Sequence, residues 1–271
     1  TDLNYFAYGQ GNFSLSLETH VPDLYFQPGH YIDLHKRMRA AAGGVPVMAL
    51  GRIGEPQLAE KIVAQGYGDL VGMTRALITD ASWAAKAQRG AAQDIRPCVF
   101  DNFCWGEIHQ GKPLVEHHNP YLGLAGEAYL KPAPTSNARN VVIIGTGPAG
   151  LEAAWVAAAR GHRVTLIGSS NEVGGAFRLE ATLPGRAEMG RITEHQLALA
   201  KRYGASIVLN TRIDSAHELD PYQPDAVVLA TGAVQRLPSG VACSAAVQSA
   251  RAYVAQAQSL SGDLAVLVDE D

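Results

Sequence analysis

Apolar runs alternate with amphipathic stretches from the start of the chain. "LNYFAYG" (3–9) reads as a strand. "IDLHKRMRAAAGG", from Ile32, has helical spacing and closes on Gly43 and Gly44, residues that suit a left-handed helix end. "VPVMALG" predicts a second strand. "EPQLAEKIVAQGYG" predicts a helix with Pro56 in its first turn and Leu58, Ala59, Ile62 and Val63 on one face. "DLVGM" is a third strand signal and "ASWAAKAQRG" a third helix. Three βα repeats imply parallel strands joined by right-handed crossovers. "YLKPAPTSNARN" then has the Pro, Ser and Asn content of a linker. Beyond it "NVVIIGTGPAGLEAAWVAAARGHRVTLIGSS" reads as strand, glycine turn, helix and strand. "PDAVVLATGA" is a further buried strand, and "GDLAVLVDED" begins another.

Three βα units do not close a barrel of eight, and a final strand without a partner would leave an open edge. The pattern is therefore expected to be an internal piece of a longer polypeptide, cut at both ends. A chain of 271 residues has room for about two domains, and 47% hydrophobic with 18% charged residues is a globular composition. The net charge of −4 argues against nucleic acid or an anionic membrane as partner. No uninterrupted apolar run is long enough to cross a bilayer. Three cysteines do not make a disulfide framework, so a reducing, cytoplasmic location is expected. The expected partner is a small-molecule substrate; a homo-oligomer is compatible with the sequence.

The strongest local signal is Gly145-Thr146-Gly147-Pro148-Ala149-Gly150, which follows the apolar run 141–144 and opens an Ala-rich helix. Its glycines suit a tight turn, close approach to a pyrophosphate and close helix–strand packing, with phosphate at the helix N-terminus. The acid that usually holds a ribose hydroxyl at the end of the second strand is missing. Gly168 stands there, followed by Ser169 and Ser170, and no arginine stands at that turn to receive a 2′-phosphate. A glutamate at 168 is accordingly expected to strengthen binding of a ligand with a free 2′-hydroxyl. A second signal is a pair of turns just past strand ends, "LGRIG" and "VGMTRA", each with a glycine and an arginine: Gly51-Arg52, then Gly72 and Arg75. Either arginine alone reads as a loop ion-pair residue; the matched pair points to a phosphate, which a guanidinium fork can hold by two oxygens.

Taken in order, "YFQPGH", "VPVMALGRIGEPQLAEKIVAQGYGDLVGMTRALITD", "IRPC", "VVIIGTGPAGLEAA", "VGG" and "VVLATGA" resemble the trimethylamine dehydrogenase and 2,4-dienoyl-CoA reductase family of flavoproteins, within the Old Yellow Enzyme group. The likeness runs through nearly the whole chain. It implies an α/β fold: residues 1–95 as the last three βα units of an FMN-binding TIM barrel, 96–138 as a degenerate cluster loop and linker, and 139–271 as an incomplete Rossmann-like ADP/FAD/NAD(P)-binding domain. By that resemblance Gly51, Arg52, Gly72, Thr74 and Arg75 hold the FMN phosphate. Gly145, Gly147, Pro148, Ala149 and Gly150, with Gly174-Gly175 and Ala230-Thr231-Gly232, face the second cofactor: FAD, ADP or NAD(P). "LAVLVDED" resembles the first strand of a nested nucleotide-binding domain, and its ending, like "YFQPGH", is closer to the amine-dehydrogenase branch.

The family also carries a four-iron cluster on cysteines spaced C-x-x-C-x-x-C or one residue longer, with a fourth about twelve residues on. In "RPCVFDNFC", Cys98 and Cys104 match, while Asp101 and Glu116 occupy the other two positions, beside His117 and His118. Hard carboxylates are poor ligands for such a cluster, which is not expected. Asn12 falls roughly where amine dehydrogenases of the family carry an active-site acid, so Glu18 and His20 are the nearby alternatives; no catalytic residue is assigned. Cys243, Trp83, Trp105 and Trp155 read as packing residues. The resulting expectation is an FMN-dependent oxidoreductase, transferring hydride between flavin and an N-methylated amine or an activated alkene. The rival reading is a non-catalytic nucleotide-binding scaffold with a decayed redox site.

Overall fold

The computed structural model describes residues 3–12, 14–234, 251, 252 and 254. The expected strand at "LAVLVDED" and the packing of Cys243 lie outside the described residues. The chain divides into two compact units between Lys131 and Pro132, and both are α/β with parallel sheets.

The first unit holds β1 (Phe6–Ala7), α1 (Leu17–His20), α2 (Ile32–Ala41), β2 (Val47–Ala49), α3 (Pro56–Ala64), β3 (Leu70–Val71), α4 (Arg75–Thr79), α5 (Trp83–Gln88) and α6 (Phe103–His109). Its three strands pair in the order β1-β2-β3, all parallel, with Ala7 beside Met48 and Ala49 beside Val71. Helix α3 carries its proline at the start, where the missing N–H costs nothing. It buries Ile62 completely against Ala49 and Ile53, with Leu58 and Ala59 partly covered. Val63 is 47% exposed, which corrects its expected place on the buried face: it sits at the margin of a narrow apolar stripe. The buried His35 accepts from Leu50 N–H at Nε2 (3.3 Å), so its Nδ1 is the donor to the Tyr31 carbonyl (2.7 Å). A neutral imidazole thus fastens α2 to the end of β2.

Residues 96–131, expected as loop and linker, fold with this unit. Asp80 accepts from Arg96 N–H (2.8 Å), Ser82 N–H (3.0 Å) and Lys86 Nζ (2.5 Å). Asn119 Nδ2 donates to the Ile78 carbonyl and to Glu127, both at 2.7 Å. Polar staples of this kind leave no periodic trace in a sequence. The seven-residue α6, likewise unforeseen, is too short to carry one.

The second unit holds β4 (Asn140–Ile144), α7 (Pro148–Ala159), β5 (Arg163–Ile167), α8 (Gly175–Glu180), α9 (Gly190–Arg202), β6 (Ser206–Val208) and β7 (Ala226–Leu229). Its parallel sheet has the order β6-β5-β4-β7, with Ile143 between Leu166 and Val228. Val142, Ile143, Leu151, Leu166 and Ile167 are fully buried. Helices α7 and α9 share a core with β4 and β5 through Leu151, Ala154, Trp155, Leu199 and Ala200. The strand order reverses at β4, since β5 and β6 lie to one side and β7 to the other. The crevice beyond the strand C-termini at such a reversal is the usual ligand position in open α/β sheets.

Candidate functional site: a glycine cradle and a two-arginine pocket

In the second unit the three glycines of the turn after β4 have separable tasks. Gly145 has φ 114° and lies against the end of β7: a Cβ there would meet the Ala230 carbonyl oxygen at 2.1 Å. A Cβ on Gly150 would lie 1.8 Å from the Gly145 carbonyl oxygen, so no larger residue lets α7 pack this close to β4. Gly147 is extended (φ −77°, ψ −176°), a conformation open to any residue, and its Cβ would meet only Gly175 Cα, at 4.0 Å. The fold therefore requires glycine at 145 and 150 but not at 147. Its absent side chain opens a cradle between Gly147 and Gly175 at the N-terminus of the twelve-residue α7, where free N–H groups and the helix dipole favour an anion. Pro148 starts the helix and Ala149 is exposed beside it. Gly174 N–H donates to the Thr146 carbonyl at 2.8 Å, which ties the Gly174-Gly175 turn to this loop. Gly232 (φ 74°) follows β7 with nothing among the described residues near its absent side chain, and Thr231 precedes it. The chain's own groups thus fit a pyrophosphate.

The missing acid at 168 has a steric cause. A Cβ on Gly168 would lie 2.5 Å from Thr146 Cγ2 and 2.6 Å from its Oγ1. Glutamate does not fit there without displacing Thr146. This overturns the expectation that Gly168→Glu alone strengthens binding.

In the first unit Arg52 and Arg75 come together. Both guanidinium carbons lie 4.8 Å from the centroid of the Phe100 ring. Arg52 is 2% exposed, has φ 51°, and donates through Nη1 to the carbonyls of Leu24 (3.4 Å) and Phe26. Arg75 Nη1 donates to the Pro22 carbonyl (2.7 Å) and Asn102 Oδ1 (2.5 Å), while Asn102 Nδ2 donates to the Val21 carbonyl (2.8 Å). Burial lowers the Arg75 pKa against the opposing pull of the neighbouring thiols, and the charge of Arg52 lowers it further. Two close, partly desolvated cations favour an anion beside them, and Nε and Nη2 of Arg75 keep donor capacity among the described residues. These groups fit a phosphate. Gly51 (φ 95°) closes against the Tyr31 ring. Gly72 is differently placed: a Cβ there would strike Leu50 Cδ2 at 2.3 Å and Met48 Sδ at 2.7 Å, so its glycine serves strand packing. Thr74 stands exposed at the start of α4.

A small cavity beside Arg75 is lined by Thr79, Cys98, Phe100, Asp101, Cys104 and Glu116, among others. Cys98 and Cys104 are free thiols. Burial pushes the Cys98 thiol up to about 12 and raises Cys104 as well. Asp101 is paired with His117, whose ring stacks on Phe103 at 4.2 Å, and it accepts from Phe103 N–H at 3.2 Å. Glu116 accepts from His118 N–H (2.8 Å) and the Thr79 hydroxyl (3.3 Å), and its carboxyl is raised by burial. The two carboxylates at the cluster positions are thus engaged in the protein's own hydrogen bonds. Among the described residues no group of three or more His, Cys, Asp or Glu side chains is arranged to hold a metal ion. This donor set does not fit a four-iron cluster.

The weak catalytic candidates are structural in their contacts. Asn12 Oδ1 accepts from the N–H groups of Ser14 (3.0 Å) and Leu15 (2.8 Å), forming an Asx-type turn ahead of α1. His20 Nδ1 donates to the Gln10 carbonyl at 3.0 Å, and Glu18 is exposed in α1. Sequence reasoning missed Phe100, Thr79 and the role of Thr146; it points to Asn102 as an acceptor for nearby backbone N–H groups, whereas its side chain accepts from Arg75 and donates to the Val21 carbonyl. Of these only Thr146 left a signal: a bulky residue inside the glycine turn, matched by a glycine at the end of β5.

A parallel α/β unit with a glycine cradle at its strand reversal, in one chain with a parallel α/β unit that pairs two arginines past its strand ends, defines a nucleotide- and phosphate-binding class of protein. Residues 30–94 match the model of the NADH:flavin oxidoreductase / NADH oxidase family, and residues 139–266 match that of pyridine nucleotide-disulphide oxidoreductase. The chain is 39% identical over 218 residues to N,N-dimethylglycine/sarcosine dehydrogenase of Chromohalobacter salexigens, covering 78% of this chain and 30% of that protein. It is 34% identical over 220 residues to NADH oxidase of Thermoanaerobacter brockii, covering 80% and 33%. Histamine dehydrogenase from Rhizobium sp. 4-9 superposes with a TM-score of 0.79 at 26% identity, covering 88% of this chain and 34% of that structure. The chain spans about a third of the length of these relatives. These matches support its place in the NADH:flavin oxidoreductase family of the trimethylamine dehydrogenase type. No helix among the described residues is long and apolar enough to cross a membrane.

Proposed function

We propose that the chain is part of an FMN-dependent oxidoreductase that moves hydride between a small substrate, an N-methylated amine or an activated alkene, and the flavin. The first unit is then the C-terminal part of a TIM barrel. The second is a Rossmann-like domain for FAD, ADP or NAD(P), and both belong to a longer cytoplasmic polypeptide. The observation that carries the reading is the pairing of Arg52 and Arg75 over Phe100 in the unit that matches the flavin oxidoreductase family.

Bound FMN would supply the hydride-accepting chemistry. The chain's contribution is positional. Arg52, fixed by two backbone carbonyls, sets the local charge, and Arg75 offers its remaining N–H donors to the phosphate. Asn102 holds Arg75 in that orientation. In the second unit the cradle between Gly147 and Gly175 receives the pyrophosphate of the nucleotide, with the α7 N–H groups as donors.

The full-length protein should purify yellow and release FMN on denaturation. Arg75→Met should weaken FMN binding by about 1.5–3 kcal/mol, the value of a charge-assisted hydrogen bond. A colourless protein that takes up no FMN on reconstitution would refute the flavin reading. Gly147→Val should leave the melting temperature nearly unchanged, because its Cβ meets only an ordinary contact, and should abolish nucleotide binding measured by calorimetry. Unchanged affinity would make the turn purely structural.

A further inference from the structure

Gly168 follows β5 at the position from which an acidic side chain usually reaches the adenosine ribose. The space is filled from the neighbouring strand end. A Cβ on Gly168 would sit 2.5 Å from Thr146 Cγ2, 2.6 Å from Oγ1 and 3.1 Å from Cβ. Thr146 is 7% exposed and β-branched, so few rotamers are open to it. Neither backbone is free to yield. Gly168 N–H donates to the Val208 carbonyl and its own carbonyl accepts from Thr211 N–H, both at 2.9 Å. The Thr146 carbonyl accepts from Gly174 N–H at 2.8 Å. A side chain at 168 and a threonine at 146 therefore exclude one another.

We propose that Thr146 and Gly168 form a coupled specificity pair that leaves the ribose edge of the nucleotide site uncharged. The Thr146 side chain fills the space from which an acidic side chain at 168 would extend and offers a hydroxyl in its place, so the site takes adenine nucleotides with and without a 2′-phosphate almost equally. The proposal rests on the reading of the second unit as a nucleotide-binding domain. A carboxylate at this edge accepts from the ribose hydroxyls and repels a 2′-phosphate. A hydroxyl both donates and accepts, and repels neither form. The Thr146 hydroxyl makes no hydrogen bond among the described residues, so it is available to a ligand. The next residues along the turn, Ser169 and Ser170, are exposed and also uncharged. The nearest acid in sequence, Glu172, is exposed and paired with Arg178 at 3.0 Å, which offsets its charge.

The test combines binding and stability in the full-length protein. ADP-ribose and 2′-phospho-ADP-ribose are titrated calorimetrically, and their affinities should agree within about threefold. Thr146→Ala with Gly168→Glu should favour ADP-ribose by more than about tenfold, because the added carboxylate faces the 2′-phosphate. Gly168→Glu alone should lower the melting temperature, and adding Thr146→Ala should restore most of that loss, since it removes the two closest atoms. A preference of the native protein beyond about tenfold for either ligand would overturn the neutral edge while leaving the nucleotide reading intact. So would a Gly168→Glu variant as stable as the native protein. If neither ligand binds, and Gly147→Val behaves as the native protein does, the nucleotide reading falls and the pair with it.

Discussion

Replacing Phe100 by leucine tests whether the two-arginine pocket is held by the aromatic face. Leucine keeps most of the apolar bulk, is β-unbranched like phenylalanine, and meets the same positive φ of 56°, so backbone strain stays nearly constant. It removes the ring quadrupole under two guanidinium groups, each 4.8 Å from the centroid and within the roughly 6 Å reach of a cation–π contact. Phe100 and Arg52 are 5% and 2% exposed, so their contact belongs near the desolvated value of about 2 kcal/mol, and that of the half-buried Arg75 nearer the exposed value of about 0.5–1 kcal/mol. The two cations share one ring and repel each other, so the pair falls short of additivity, at about 2–3 kcal/mol. Lost apolar surface adds about 1 kcal/mol. Phe100→Leu should therefore destabilise the first unit by about 3–4 kcal/mol, the size of many Phe→Ala losses, for a much smaller change in volume.

A double-mutant cycle with Arg75→Met isolates the contact. Arg75→Met also strands Asn102 Oδ1 and the Pro22 carbonyl, but that loss is common to both arms and cancels. Denaturant unfolding is followed by tryptophan emission in a Trp155→Phe background, which leaves Trp83 and Trp105, both in the first unit, as reporters. A coupling energy of about 0.5–1 kcal/mol is expected. A value below about 0.5 kcal/mol would refute the electrostatic role of the ring and reduce Phe100 to a filler of volume.

Two further predictions rest on titrating groups. Asp69 is held below the usual carboxylate range by its hydrogen bonds from Arg39 and by Val47 N–H, so its contribution is present above its ordinary pKa of 3.8 and is lost as pH falls through the lower folded value. The stability gap between the native protein and Asp69→Asn, measured by thermal unfolding, should be constant near neutrality and close only under strong acid; a gap that closes near pH 6 would be wrong for this group. The Cys98 thiol, raised to about 12 by burial, and the raised Cys104 should react with a maleimide at pH 8 far more slowly than unfolded-chain thiols and without releasing iron; rapid labelling of the folded protein would contradict their burial.

The parts of the fold legible in the sequence are those where backbone geometry and burial act locally. The apolar run 141–144, the G-x-G-x-x-G turn that follows it, and Pro56 opening α3 each announce an element through a few adjacent residues. Helix α9 and strand β6 were passed over although Ile192, Gln196, Leu199 and Ala200 recur at helical spacing and are buried. The polar Gln196 in that stripe, 2% exposed and bonded to Glu152 at 2.9 Å, weakens the apolar signal while serving the same packing. The pocket over Phe100 was legible only by half. Arg52 and Arg75 stand out as paired turns, but their meeting on Phe100, with Asn102 as clamp, joins positions far apart in the chain.

The loop from Arg96 to Asn119 carries the same argument one step further. A cluster loop that gives up half of its thiolates loses the ligands that would organise it, yet this loop is ordered by substitutes on the same positions. Asp101 turns to His117 and the Phe103 N–H, and Glu116 turns to the His118 N–H and Thr79. Asn102, at φ 62°, fastens the loop to Arg75 and to Val21. Each carboxylate thus serves as a hydrogen-bond acceptor for a group nearby in the chain's own loop. The two-arginine pocket depends on the same loop. Phe100 and Asn102 lie between Cys98 and Cys104, so the segment that resembles a cluster loop is also the segment that fixes the orientation of Arg75.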